Sequence, residues 1–139
     1  MPNMPAKIGK GMTVLCKGES ASEEDLDFAR QLFEYLGKTL VIEEEMLAAA
    51  TAISGSGPGY FFDLVHNQDL GEIKGFAKKI FVPTFIKAAQ SLGFTPEQAK
   101  LLAETTAAGS IDLLEETQAV PSELRNQVAS KGGTTEAGL

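Results

Sequence analysis

The closing stretch of the chain, "SKGGTTEAGL" at residues 130–139, concentrates residue types that bind small anions. Gly132 and Gly133 permit backbone conformations denied to other residues, and Thr134 and Thr135 follow where a helix would begin. Free N–H groups at such a turn, with the positive end of a helix dipole, attract an anion by roughly 0.3–1 kcal/mol. Ser130 adds a hydroxyl just before the turn. The arrangement suits a small carboxylate, with the threonine hydroxyls pointing outward beside it and one of them able to donate to a neighbouring nitrogen. A plain helix N-cap without a ligand explains the same residues as well.

No acid–base pair or nucleophile accompanies the turn. "EEE" at 43–45 and "EE" at 115–116 read as solvated charges at helix ends. His66 is the only histidine, and no Cys/His cluster has ligand spacing, so no metal site is expected. Cys16, inside the apolar run "MTVLC", reads as a buried and inert thiol. "SGSGPG" at 54–59 lacks the Lys-Ser/Thr that completes a phosphate loop, and it follows no first strand as a dinucleotide fingerprint must. It reads instead as a tight break in a helix that lets one backbone pass close to another. If the closing turn serves catalysis, the reactive group has to come from a cofactor.

The elements that must position this turn can be read from periodicity. Met12–Cys16 reads as a short strand after a Pro- and Gly-rich loop. Ser22 caps a helix with acids in its first turn and apolar residues at Leu26, Ala29, Leu32, Phe33 and Leu36. Gly37 ends it, and "KTLVI" reads as the next strand, completing a parallel strand–helix–strand unit. Two strands make no stable sheet alone, so this part is expected to be the tail of a larger α/β domain. From residue 46 onward the pattern is helical. Pro83 predicts a kink or two helices meeting. Thr95 and Pro96 open a long helix, and "PSELRNQVAS" is a last short one leading into the closing turn. The small residues Ala48–Ala50, Ala88–Ala89, Ala103 and Ala107–Gly109 fit a tight single core or a surface covered by a second copy.

The totals set outer limits. A formal charge of −7, with only 12 Lys plus Arg, argues against non-specific binding to nucleic acid or to an anionic membrane surface. No apolar run reaches the ~20 residues of a membrane span, and no signal peptide is visible. A single cysteine excludes an internal disulfide, and the expected setting is the cytoplasm.

Four blocks in order, "MPNMPAKIGKGMT", "TAISGSGPGYFF", "LGFTPEQA" and "PSELRNQVASKGGTTEAGL", resemble the second half of pyrroline-5-carboxylate reductases. The last block is the most specific: Pro121, Leu124, Val128, Ser130, Gly133, Thr135 and Gly138 fall at the family's signature spacing. The resemblance implies a mainly α fold, in which a helical dimerisation domain is preceded by the remnant β-α-β of a Rossmann-type α/β domain. Residues 1–45 would be that remnant, and 46–139 the helical dimerisation and substrate-binding domain. It also implies reduction of 1-pyrroline-5-carboxylate to L-proline with NADPH or NADH, in proline biosynthesis. The expected assembly is a homodimer, or a higher homo-oligomer, with interleaved helices.

By the same resemblance, Ser130, Gly132, Gly133 and Thr134 would hold the substrate carboxylate. Thr135 would hydrogen-bond the ring nitrogen as hydride arrives, which makes it the expected catalytic residue. Asn3 and Pro5 match a loop at the nicotinamide end of the cofactor, and Gln127 stands where cofactor is touched from a neighbouring subunit. Lys131, Gly59 and Ala48 depart from the residues common in the family. "HNQDLGEIKGFAKKIFVP" reads as an insertion that either lengthens helices or adds an excursion. The chain is expected to be a fragment lacking its phosphate-binding loop and inactive by itself. The alternative is a non-catalytic helical dimerisation or interaction module.

Overall fold

Ser22 and Asp25 start the first helix by bonding each other reciprocally. The Ser22 hydroxyl accepts from the Asp25 N–H at 3.1 Å, and the Asp25 carboxylate accepts from the Ser22 N–H at 2.9 Å. The structure, a computed structural model, describes the whole chain, Met1–Leu139. Helix α1 (Glu23–Glu34) crosses between strands β1 (Gly11–Leu15) and β2 (Gly37–Val41). The strands pair in parallel, Gly11 opposite Gly37 and Leu15 opposite Val41. Both strands thus begin one residue earlier than periodicity suggests, a shift within ordinary boundary uncertainty.

The Asp25 carboxyl is held below its usual range by hydrogen bonds from the Ser22 backbone first and the Ser22 side chain second. The carboxylate form therefore favours the folded state. That contribution is present above the unfolded pKa and is lost as pH falls through the lowered folded value. An NMR titration of the folded chain should place the Asp25 midpoint below that of the same residue in an unstructured peptide. Coincident midpoints would mean that the reciprocal bonds do not form.

Residues 1–3, read as loop, run antiparallel along the outer edge of β1. Val14 N–H donates to Met1 O at 2.9 Å and Asn3 N–H to Met12 O at 3.2 Å, with Pro2 opposite Thr13. The small sheet is stabilised from one face. Met12 and Val14 are fully buried and pack with Ile42, Ala50, Ile53, Ala89, Phe94, Ala99 and Leu102. The strand–helix–strand unit therefore shares a core with the helices that follow it. Cys16 sits beyond the end of β1 and is half-buried, so the expectation of a fully buried thiol does not hold.

The helical part is organised by α6 (Pro96–Thr117), whose first turn is closed by a reciprocal Thr95–Gln98 cap. Its Ala99 and Leu102 belong to the core beneath the sheet, while Ala107, Leu113 and Leu114 belong to a second core. Around α6 stand α2 (Leu47–Ala50), α3 (Gly57–Leu64), α4 (Leu70–Phe76), α5 (Val82–Ser91), α7 (Pro121–Val128) and α8 (Thr134–Gly138). The second core is aromatic. Phe81 meets Phe61 edge-on at 5.0 Å and stacks on Phe85 at 3.9 Å between ring centres.

Two expected interruptions turn out to be widened turns. "SGSGPG" does not break its helix: Thr51–Gly55 forms a π turn between α2 and α3, with Ser56 N–H donating to Thr51 O at 2.8 Å. A second π turn, Ala77–Phe81, joins α4 to α5, so the chain stays helical through Pro83. Proline at the start of α5 lacks the N–H that an ordinary turn would use, and the wider turn accommodates it. The residues read as an insertion lengthen this helix and add to the core rather than projecting from it. Asp69 and Glu72 cap α4 reciprocally, and Ile73, Ala77 and Phe81 are buried. No helix is long and apolar enough to cross a membrane.

Candidate functional site

The closing turn is positioned by α7, which lies against α3. Leu124 inserts into the aromatic core, and Arg125 Nη1 reaches Asp63 Oδ1 on α3 at 2.8 Å. Both partners are more than a third exposed, so the pair is worth at most about 1 kcal/mol, and the buried leucine does more to fix the helix. After Ala129 the chain turns through residues 130–133, with Gly132 in the left-handed region at φ +72°. Helix α8 then begins.

The structure separates the turn into two parts. Ser130, Lys131, Gly132 and Thr134 are exposed and Gly133 is partly covered, so the residues expected to hold a carboxylate form an open surface turn. Thr135 is different. Its hydroxyl does not point outward: it turns inward and donates to Ser56 Oγ at 2.9 Å, leaving the residue 7% exposed. The reason lies in α3. A Cβ on Gly59 would stand 2.6 Å from Thr135 Cγ2, so the glycine leaves the space into which the threonine methyl packs. With the methyl fixed there, the hydroxyl faces Ser56. The Gly132 N–H is also taken, by the Glu136 carboxylate one turn on, so the turn is closed by its own side chain.

Asn3 and Gln127, far apart in sequence, are brought to one place. They line a cavity of about 430 Å³ with Met4, Lys7, Gly55 and Val128 among its walls. Asn3 is held at both ends of its amide: Oδ1 accepts from Met12 N–H at 2.8 Å, and Nδ2 donates to Ser54 O at 3.1 Å. Lys7 Nζ donates to Gln127 Oε1 at 3.1 Å across the mouth. Pro5 does not line the cavity. It is buried against α6 beside Gly109, where it fixes the course of the loop that carries Asn3.

The π turn at Thr51–Gly55 connects the two places. Ser54 O is gripped by Asn3, and Ser56, one residue beyond the turn, meets Thr135. In the sequence Ser56 reads only as part of a glycine-rich stretch, and its meeting with Thr135 is not visible there. The available signal was a serine placed between two glycines, where a small polar side chain at a close helix approach has to find a partner. No group of three or more His, Cys, Asp or Glu residues has metal-binding geometry. Beside the Lys7 ammonium and the Glu136 carboxylate, the site offers neutral hydroxyls, two amides and backbone groups, which can orient a ligand and carry a hydrogen bond.

The fold and this site define a helical domain joined to a parallel strand–helix–strand unit. Residues 79–139 match the family model for pyrroline-5-carboxylate reductase dimerisation. Pyrroline-5-carboxylate reductase 2 of Bacillus subtilis is 37% identical over 139 residues, which is all of this chain and 44% of that protein. The pyrroline-5-carboxylate reductase of Arabidopsis thaliana is 33% identical over the same length, again with 44% of that protein covered. Among solved structures, a pyrroline-5-carboxylate reductase from Coxiella burnetii matches 99% of this chain and 45% of its own, at 30% identity and a TM-score of 0.45. A pyrroline carboxylate reductase of Plasmodium falciparum, solved with NADP bound, matches at 27% identity and a TM-score of 0.42, over 99% of this chain and 49% of its own. The resemblance to pyrroline-5-carboxylate reductases carried by the four sequence blocks thus runs the full length of the chain, which spans less than half of the relatives it matches.

Proposed function

We propose that this chain is the substrate-binding and dimer-forming part of a pyrroline-5-carboxylate reductase, which reduces 1-pyrroline-5-carboxylate to L-proline with NADPH or NADH. The observation that carries the reading is Thr135: a hydroxyl held at fixed orientation beside an exposed turn of N–H groups, in a chain that reductases match throughout. Residues 1–45 correspond in this reading to the end of a dinucleotide-binding domain, and 46–139 to the helical domain. Ser130, Gly132, Gly133 and Thr134 receive the carboxylate, which displaces Glu136 from the Gly132 N–H. Thr135 meets the ring nitrogen.

The cavity between Asn3 and Gln127 takes a ring-sized group and presents one amide and one ammonium at its mouth, which fits the amide-bearing end of a nicotinamide cofactor. Asn3 and Gln127 would hold that end, with Pro5 setting the loop from behind. When bound, the nicotinamide supplies hydride. The chain's own part is to orient the ring and satisfy its nitrogen. The phosphate-binding fingerprint is not in this sequence, so the isolated chain is proposed to be inactive. A second copy completing a homodimer, and a cytoplasmic setting, belong to the same reading.

One observation favours a non-catalytic interaction module instead: the turn is already closed by Glu136. Thermal unfolding with and without L-proline separates the two. The reductase reading expects saturating L-proline to raise the melting temperature, by an amount that follows RT ln(1 + [L]/Kd), and Thr135→Ala to remove most of that rise. A melting curve indifferent to L-proline in the wild-type chain would leave the module reading standing.

A further inference from the structure

The contact beneath Thr135 has a property that a single hydroxyl lacks. Ser56 and Thr135 together carry two protons and four lone pairs, of which one proton and one lone pair are used between them. Neither hydroxyl bonds another side chain. Ser56 is 1% exposed and Thr135 is 7% exposed, so what little exposure the pair has lies on Thr135. At 2.9 Å either hydroxyl can donate to the other, and when Thr135 donates its own lone pairs stay free. Rotating the two O–H bonds reverses the direction with no movement of heavy atoms, and Thr135 then offers its proton outward instead.

We propose that Ser56 is a positioning residue for Thr135: by exchanging donor and acceptor roles with it, Ser56 lets Thr135 Oγ1 present either a proton or a lone pair to the ring atom of a bound cyclic carboxylate. The π turn is what puts Ser56 there. Each added residue turns a helix by about 100°, so without the extra residue in Thr51–Gly55 the serine would point away from Thr135. Gly59 completes the device, because the threonine methyl packed over it prevents the side chain from swinging away when the proton changes sides. The pair therefore serves a ring nitrogen that needs a donor and a ring ammonium that needs an acceptor, the states before and after reduction. The inference rests on the substrate reading above.

Calorimetric titration of the 139-residue chain with three ring acids tests it. Tetrahydro-2-furoate has a ring oxygen that only accepts, L-proline has a ring ammonium that only donates, and cyclopentanecarboxylate has no heteroatom in the ring. Ser56→Ala should weaken tetrahydro-2-furoate and L-proline by roughly three- to tenfold each, the worth of one neutral hydrogen bond, and leave cyclopentanecarboxylate unchanged. Ser56→Thr, which keeps a hydroxyl, should restore tetrahydro-2-furoate binding. The double variant with Thr135→Ala should bind it no more weakly than Thr135→Ala alone. Equal losses for all three acids in Ser56→Ala, or additive losses in the double variant, would overturn the assignment while leaving the substrate reading intact. A wild-type chain that binds none of the three would overturn both.

Discussion

Gly109→Ala is expected to destabilise the chain by about 3 kcal/mol, enough to remove a large share of the ~5–15 kcal/mol that holds an ordinary domain together. An alanine in the middle of a helix would normally gain about 1 kcal/mol over glycine, so the sign is the informative part. At this position the new methyl would stand 2.4 Å from the Lys10 carbonyl oxygen and 2.8 Å from Pro5 Cβ. Neither neighbour can yield cheaply. One is backbone, and the other is a fully buried ring held between α6 and the start of β1. Relief would require α6 to move off the loop that carries Asn3, and that loop closes both the sheet and the cavity. Gly75→Ala is the control, since nothing lies within 4 Å of its Cβ position in α4, and it should stabilise slightly. Urea unfolding of both variants gives the answer directly. A midpoint for Gly109→Ala at or above wild type would show that α6 does not approach the Pro5 loop so closely.

Phe61→Ala should cost about 3–5 kcal/mol, the range for truncating a buried aromatic residue. Phe61 is completely buried on α3, with Phe62, Phe76 and Phe81 at 6.1, 6.4 and 5.0 Å between ring centres. The rings around it come from three helical segments, so the void cannot collapse by moving one of them. Two of those rings, Phe76 and Phe81, belong to the stretch that read as an insertion. The variant also has a functional consequence, because α3 carries Gly59 and with it the seat of Thr135. Loss of L-proline response should therefore accompany the loss of stability. A fall of less than 1 kcal/mol would mean that the added helical turns do not pack on α3.

What sequence disclosed and what it hid divide along physical lines. Ser22, Thr95 and the second strand are local matters of capping and periodicity, and the structure has the two caps as read and the strand one residue earlier, at Gly37–Val41. The two π turns were read as breaks because Gly and Pro oppose helix locally. The helix continues there because distant contacts outweigh that preference: a Cβ on Gly57 would lie 2.8 Å from Thr106 on α6, and Phe81 is buried under three aromatic neighbours. The inward turn of Thr135 depends on Ser56 and Gly59, more than seventy residues away, and no pattern within "KGGTTE" encodes it. Asn3 and Gln127 could be named from the family resemblance, but their meeting across one cavity emerges only when the first loop folds onto α7.

The small sheet has a last consequence. Its β1 side is sealed by Met1–Asn3, so only the far side of β2 still offers unpaired backbone groups. A strand assembly grows indefinitely only when each unit has two open sides. Two of these chains joined along β2 would leave no open side behind, and stacking would stop at the pair. An open-ended stack built along this sheet would require the first three residues to leave the β1 edge.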